Sequence, residues 1–173
     1  MASNLKVLIT ARSGVGKSTI IHELSDRGCT VYDTDEMPEI SRLEVKATEE
    51  PTKWPLGYVD WDYYGWNWQG PELDKLLNTS NGAIIGAIMS NQQNFYHLFD
   101  ITIVLTCTSE TLRKRLLHRT DYTYGNNIEN IERSVMRHAI KQAVLTTQAS
   151  FAVDNERPPV VVANDIIRIM NDY

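Results

Sequence analysis

The 173-residue chain has only two cysteines, Cys29 and Cys107, and neither stands in a CxxC pair or beside a histidine. That scarcity excludes a disulfide-stapled scaffold and a cysteine-rich zinc module, and it predicts two reduced, buried thiols. His22, His97, His118 and His138 are scattered without metal-ligand spacing. Positive charge is also short: 17 Lys and Arg stand against 22 Asp and Glu, a formal net charge of -5. A nucleic-acid polymer is therefore not the expected partner, because neutralising many phosphates needs the opposite balance. No apolar run approaches the roughly 20 residues of a membrane span. The opening residues lack a basic start with a long apolar core, and no Gly, Ser or Pro tract marks a disordered arm. Together these absences predict one cytoplasmic domain without membrane attachment, as a monomer or a homodimer.

What is present is an alternation of apolar runs. Residues 6–10 are rich in β-branched side chains, and Ile20, Ile21 and Leu24 fall at helical spacing within 17–26 before Gly28 stops the helix. Residues 29–32 resume a strand-like pattern, so the chain opens on a strand-helix-strand unit. Further buried strands are predicted at 83–88 and 101–105, with a last short one at 160–163. Helices are predicted over 110–118, over a long segment from 128 to about 151, and over a closing stretch at about 165–170. Strands alternating with helices predict an α/β fold, a mainly parallel sheet covered on both faces. Two interruptions stand out. Residues 35–81 read as irregular and hold all four tryptophans, and residues 119–127 are polar and turn-prone, as a short lid would be.

Between the first strand and first helix stand Ala11, Arg12, Ser13, Gly14, Val15, Gly16, Lys17, Ser18 and Thr19. The full P-loop pattern is Gly-x-x-x-x-Gly-Lys-Ser/Thr, and the one departure is Ala11 in the first glycine position. Gly14 and Gly16 free the amides between Ser13 and Thr19, that of Val15 included, to turn inward as an anion nest. The helix that follows adds its positive end. In that arrangement Lys17 reaches the β and γ phosphates of ATP, the Ser18 hydroxyl ligates Mg²⁺, and Thr19 touches the α phosphate. A merely flexible turn is the plain alternative. The strand before and the helix after favour the phosphate cradle.

With this loop, the Asp33-Thr34-Asp35 element after the second strand and the Arg115 and Arg119 pair after the fourth, the chain resembles the P-loop nucleoside-monophosphate kinase-like group. Adenylate, shikimate, gluconate and dephospho-coenzyme A kinases belong to that group. The resemblance implies a three-layer P-loop fold with a five-stranded parallel sheet of order 2-3-1-4-5. It also implies an acceptor-binding insertion at about 36–81 and a mobile lid at about 119–127. The implied activity is ATP- and Mg²⁺-dependent transfer of the γ-phosphoryl group to a small-molecule or nucleotide-like acceptor. Asp33 then supports the metal and Asp35 holds the acceptor hydroxyl. Arg115 lies on the adenine side, Arg119 meets the transferring phosphoryl group, and Arg137 binds acceptor phosphate.

Each assignment has a plainer rival in the residues themselves. Carboxylates at i and i+2 of an extended strand share a face, yet an Asx turn that ends a strand uses the same residues. Arg115 and Arg119, four apart, are neighbours on a helix face that solvated arginines also populate. Asn91 and Gln92 after the third strand fit contacts to an uncharged polar acceptor or a helix cap. In the insertion, aromatic rings fit a miniature core, with Trp61 and Trp66 the candidates for acceptor contact. A 160–164 segment edging the adenine ring is a further expectation from the resemblance. No Asp ends the third strand, which shifts metal support to Ser18, Asp33 and water. A regulatory P-loop NTPase, or a nucleotide-binding module without chemistry, is the alternative from another functional class.

Overall fold

The computed structural model describes residues 4–55, 59–119 and 128–173. β1 (Lys6–Ala11) shows how the sheet is built. Val7, Ile9 and Ala11 join one apolar cluster and Leu8 joins another on the opposite face, as the two-residue period of a strand dictates. β6 (Ala83–Ala87) divides in the same way, Ile84 to the first cluster and Ile85 to the second. A strand buried on both faces belongs inside a covered parallel sheet.

That sheet has five strands in the order β2-β6-β1-β7-β8, with β2 (Val31–Asp33), β7 (Ile101–Thr106) and β8 (Phe151–Asp154) completing it. All its pairings are parallel. Counted along this sheet alone, the order is the expected 2-3-1-4-5. α1 (Lys17–Asp26), α3 (Ser109–His118) and α6 (Pro159–Asp172) supply Ile20, Leu24, Leu112, Leu116, Val162 and Ile166 to the first cluster. α2 (Gly70–Thr79) places Leu73 and Leu77 on the other face, against Leu8 and Ile85. Each such side chain contributes about 1.5–3 kcal/mol by leaving water.

Three expectations are corrected. Residues 160–163 are not a strand: they lie in the first turns of α6, and β8 is the edge strand instead. A short apolar run fits either element, and Pro158 followed by Pro159 at the helix start decides for the helix. The helix expected from 128 to about 151 is two, α4 (Ile128–Met136) and α5 (His138–Gln148), which meet at Arg137. The closing helix starts at Pro159 rather than near 165.

The stretch read as irregular is ordered. Asp33 caps a single 3-10 turn, Thr34–Glu36, and a three-stranded antiparallel sheet follows with β3 (Ser41–Val45) between β4 (Glu50–Pro51) and β5 (Tyr64–Trp68). Trp68 locks this small sheet to the main one. It is buried, its Nε1 donates to Thr34 Oγ1 at 2.9 Å, and its ring meets Phe95 and Phe99. Of the expected lid at about 119–127, residues 120–127 lie outside the described residues, as does Tyr58 of the insertion. Among the described residues no helix is long and apolar enough to cross a membrane.

Candidate functional site

The loop between β1 and α1 is shaped by two glycines that other residues could not replace. Gly14 has φ 86° and Gly16 has φ 105°, both in the left-handed region. Space is short as well: a Cβ on Gly14 would lie 2.7 Å from Leu116 Cδ2, and one on Gly16 2.8 Å from Asn155 Nδ2. Ala11 in the first glycine position is still strand, paired with Leu105 of β7, so no special backbone conformation is asked of it.

The loop forms one wall of a cavity of about 530 Å³. Ser13, Gly14, Gly16, Lys17, Ser18 and Thr19 line it, and Asp35, Arg115 and Arg119 face it from other elements. The Val15 side chain is buried behind the loop.

The electrostatic centre is Lys17, only 8% exposed. Its Nζ donates to Asp33 Oδ1 at 2.7 Å and sits 2.9 Å from Asp35 Oδ2, so one ammonium is shared by two carboxylates. Burial would lower the Lys17 pKa, but the charges and hydrogen bonds of Asp35 and Asp33 outweigh it and hold it above the ordinary 10.5. Asp35 moves the other way for an acid. Burial, with repulsion from Asp33, lifts its carboxyl above 3.8 against the pull of Lys17 and Trp66.

The two carboxylates differ in their second partners. Asp33 Oδ2 accepts from Ser18 Oγ at 3.2 Å, whereas Asp35 Oδ1 accepts from Trp66 Nε1 at 3.3 Å. The Asx-turn reading also holds in part, because Asp33 Oδ1 accepts from the Asp35 N–H at 3.3 Å. Gly86, at the end of β6, makes room for this centre: a Cβ there would stand 2.8 Å from Ile21 and 3.6 Å from Lys17 Nζ. Beyond it, Ile88 lines the cavity. The oxygens of Ser18 and Asp33 are the hard donor pair that suits Mg²⁺. Among the described residues no group of three or more His, Cys, Asp or Glu forms a further metal cluster.

Other expected residues are dispersed. Trp66 reaches Asp35, but Trp61 is 42% exposed, packs edge-on against Trp54 and uses its carbonyl to accept from Lys46 Nζ at 2.5 Å. Asn91 is spent on the Trp68 backbone and Gln92 is buried against Thr10 and Met89, so neither reaches the cavity. The 160–164 segment does not line the cavity either; Asn155 and Arg157 of the preceding turn do, with Pro159, the first residue of α6. Arg115 is held by backbone carbonyls, donating from Nη1 to Val15 and from Nη2 to Asn155 at 2.7 Å.

Arg137 opens α5, where Lys141 N donates to its carbonyl at 3.1 Å. His138 and Gln142 of the same helix are pinned to the Cys107 backbone just beyond β7. Lys141 lies in the field of Arg12 and Arg137, with Asp62 opposing and Lys46 adding; burial and this repulsion hold its ammonium below the usual lysine range. Arg12, Asn155 and Lys141 were not singled out by sequence reasoning. Only Arg12 carried a local signal, its place inside the P-loop.

Comparison with known proteins gives a family and a fold. The model of the AAA_18 family, an AAA domain, matches residues 7–137. A shikimate kinase of Acinetobacter baumannii in complex with shikimate superposes with a TM-score of 0.65 and 14% identity, over 99% of this chain and 95% of that one. A gluconokinase of Sinorhizobium meliloti gives 0.60 and 12%, over 98% and 93%. A shikimate kinase of Bacteroides thetaiotaomicron gives 0.57 and 13%, over 98% and 99%. No curated protein matches in sequence. At such identities the likeness is one of fold, the P-loop kinase fold of the nucleoside-monophosphate kinase-like group.

Proposed function

The chain belongs to the AAA_18 family, and from that premise we propose that it is a kinase transferring the γ-phosphoryl group of ATP to a small acceptor. The observation that carries this reading is the division of labour around Lys17. One carboxylate, Asp33, pairs with the Ser18 hydroxyl of the phosphate loop; the other, Asp35, pairs with an indole of the insertion. Asp35, bonded both to Lys17 and to the insertion, supports a place where an acceptor hydroxyl would be held beside the phosphates.

In this reading the loop amides and Lys17 hold the phosphates, and Lys17 exchanges its carboxylate partners for phosphate oxygens as nucleotide arrives. Ser18 and Asp33 would hold Mg²⁺, which would supply neutralising charge to the phosphates. Asp35 accepts the hydrogen bond of the acceptor hydroxyl and aligns its oxygen; a lifted pKa suits it to receive the proton. Arg119 offsets charge that spreads over the moving phosphoryl group. Trp66 steadies Asp35. Arg12, Arg137 and Lys46 share one field with Lys141, with Asp62 among them, which supports an acceptor that carries an anionic group beside its hydroxyl.

The test is ATP consumption with Mg²⁺ across a panel of hydroxylated carboxylates, sugar acids and phosphorylated metabolites. Turnover that depends on one acceptor, with stoichiometric phosphorylated product, is the expected result. ATP hydrolysis indifferent to every acceptor and stimulated by a protein partner would replace the kinase reading with a regulatory NTPase.

A further inference from the structure

The Val15 carbonyl of the phosphate loop is gripped from outside the loop by two donors. Asn155 Nδ2 donates to it at 2.7 Å and Arg115 Nη1 donates to the same oxygen. Arg115 Nη2 donates in turn to the Asn155 carbonyl at 2.7 Å, which closes a three-cornered clamp among the loop, α3 and the turn after β8. Asn155 is well placed for a fixed task. It is 5% exposed, and its backbone N–H donates to Thr106 at 2.8 Å.

The consequence follows from the peptide plane. The Val15 carbonyl and the Gly16 N–H belong to one rigid trans unit and point in opposite directions. Pulling the carbonyl outward therefore aims the Gly16 N–H inward. Gly16, at φ 105°, adopts the conformation this orientation needs. We infer that Asn155 is a positioning residue: it sets the direction of the Gly16 amide and so the grip of the loop on a polyphosphate. The inference rests on the phosphate-binding reading above, and it moves Arg115 from the adenine side to the same positioning task. Arg115 still lines the cavity, so one guanidinium joins the loop's shape to the space beside it.

Asn155→Asp tests this. The carboxylate has nearly the shape of the amide but turns an acceptor toward the Val15 oxygen, which repels the clamp open. Binding of a non-hydrolysable ATP analogue with Mg²⁺, by calorimetry, is compared with binding of adenosine, by NMR titration. The analogue is expected to lose roughly tenfold in affinity or more, the scale of a buried carbonyl losing its donor, while adenosine holds within about twofold. Equal losses for both ligands would mean that Asn155 touches the base, and unchanged affinity for both would mean that the clamp does not set the amide; either overturns the inference. A lower melting temperature with both affinities intact would reduce Asn155 to a structural role. Asn155→Ala, smaller and neutral, is measured beside it: a loss confined to Asn155→Asp would be repulsion between the new carboxylate and the phosphates and would overturn the inference. A wild-type protein that binds neither ligand would remove the phosphate-binding reading itself, and the clamp with it.

Discussion

At Lys17 one cation answers for two acids, and single substitutions there separate activity from stability. Lys17→Ala is expected to lower ATP turnover by about 100-fold or more, since it removes the charge proposed to meet the phosphates. It also strands Asp33 and Asp35 without a counter-charge, a loss on the order of 3 kcal/mol for a largely buried pair. The double variant with Asp35→Asn should recover part of that stability and none of the activity, a coupling that a mutant cycle in thermal melts and turnover would read. Asp35→Asn alone carries a signed pH prediction. Because the folded-state pKa lies above 3.8, the native state holds that proton more tightly than the unfolded chain. Wild type therefore loses stability as pH rises through the lifted value, and the variant does not. The difference in melting temperature should therefore shift in the variant's favour as pH rises from 3.8 toward neutral. The variant's turnover should fall roughly 100-fold as well, the usual scale for a lost proton acceptor. A difference that shifts the opposite way with pH would contradict the first half, and an unchanged rate the second.

Among the elements, α3 depends on a distant carboxylate. Glu156 Oε1 accepts from the Thr108 N–H and hydroxyl, at 3.1 Å and 2.6 Å, just where α3 begins. These bonds, with one from Thr111, hold the Glu156 pKa down to about 2 from 4.5. A lowered carboxyl pKa stabilises the fold above 4.5 and loses that contribution as pH falls toward 2. Glu156→Gln should thus melt below wild type at pH 6 and converge with it near pH 2, a difference visible in paired thermal scans. The small sheet is tied by Trp68 in a comparable way. Trp68→Phe keeps the ring contacts and leaves Thr34 without its donor, at a cost of about 1–3 kcal/mol in denaturant melts. These links also mark the limit of what could be read from the residues alone. β1, α1 and the loop between them were legible because strand period, helix spacing and glycine placement are local signals. Asn155 was not: its partner Val15 is 140 positions away, and nothing near Asn155 announces the bond. The antiparallel pairing of β3 with β5 is long-range in the same sense, and the tryptophans that obscured it turn out to divide between packing, as Trp68 does, and the site, as Trp66 does.

Over the whole molecule, binding energy should appear as heat stability. A ligand that prefers the native state adds about 2.7 kcal/mol of stability at 100 times its dissociation constant, and so raises the melting temperature as its concentration grows. Mg-ATP should do so, and in Asn155→Asp the same shift should need roughly ten times more nucleotide. The five-stranded order was legible as a whole because alternating elements leave few topologies, whereas the exchange of a strand for a helix at 160–163 came from a run too short to show its period. Ser13 to Thr19 follow the carboxyl end of β1 and Asp35 that of β2, as open α/β sheets favour. β1 starts at the opposite rim, and α6 begins beside the cavity at Pro159 and runs 14 residues, about 21 Å, away from it. A label placed at the amino end of β1 or late in α6 would therefore leave the mouth of the cleft open to whatever is washed over it.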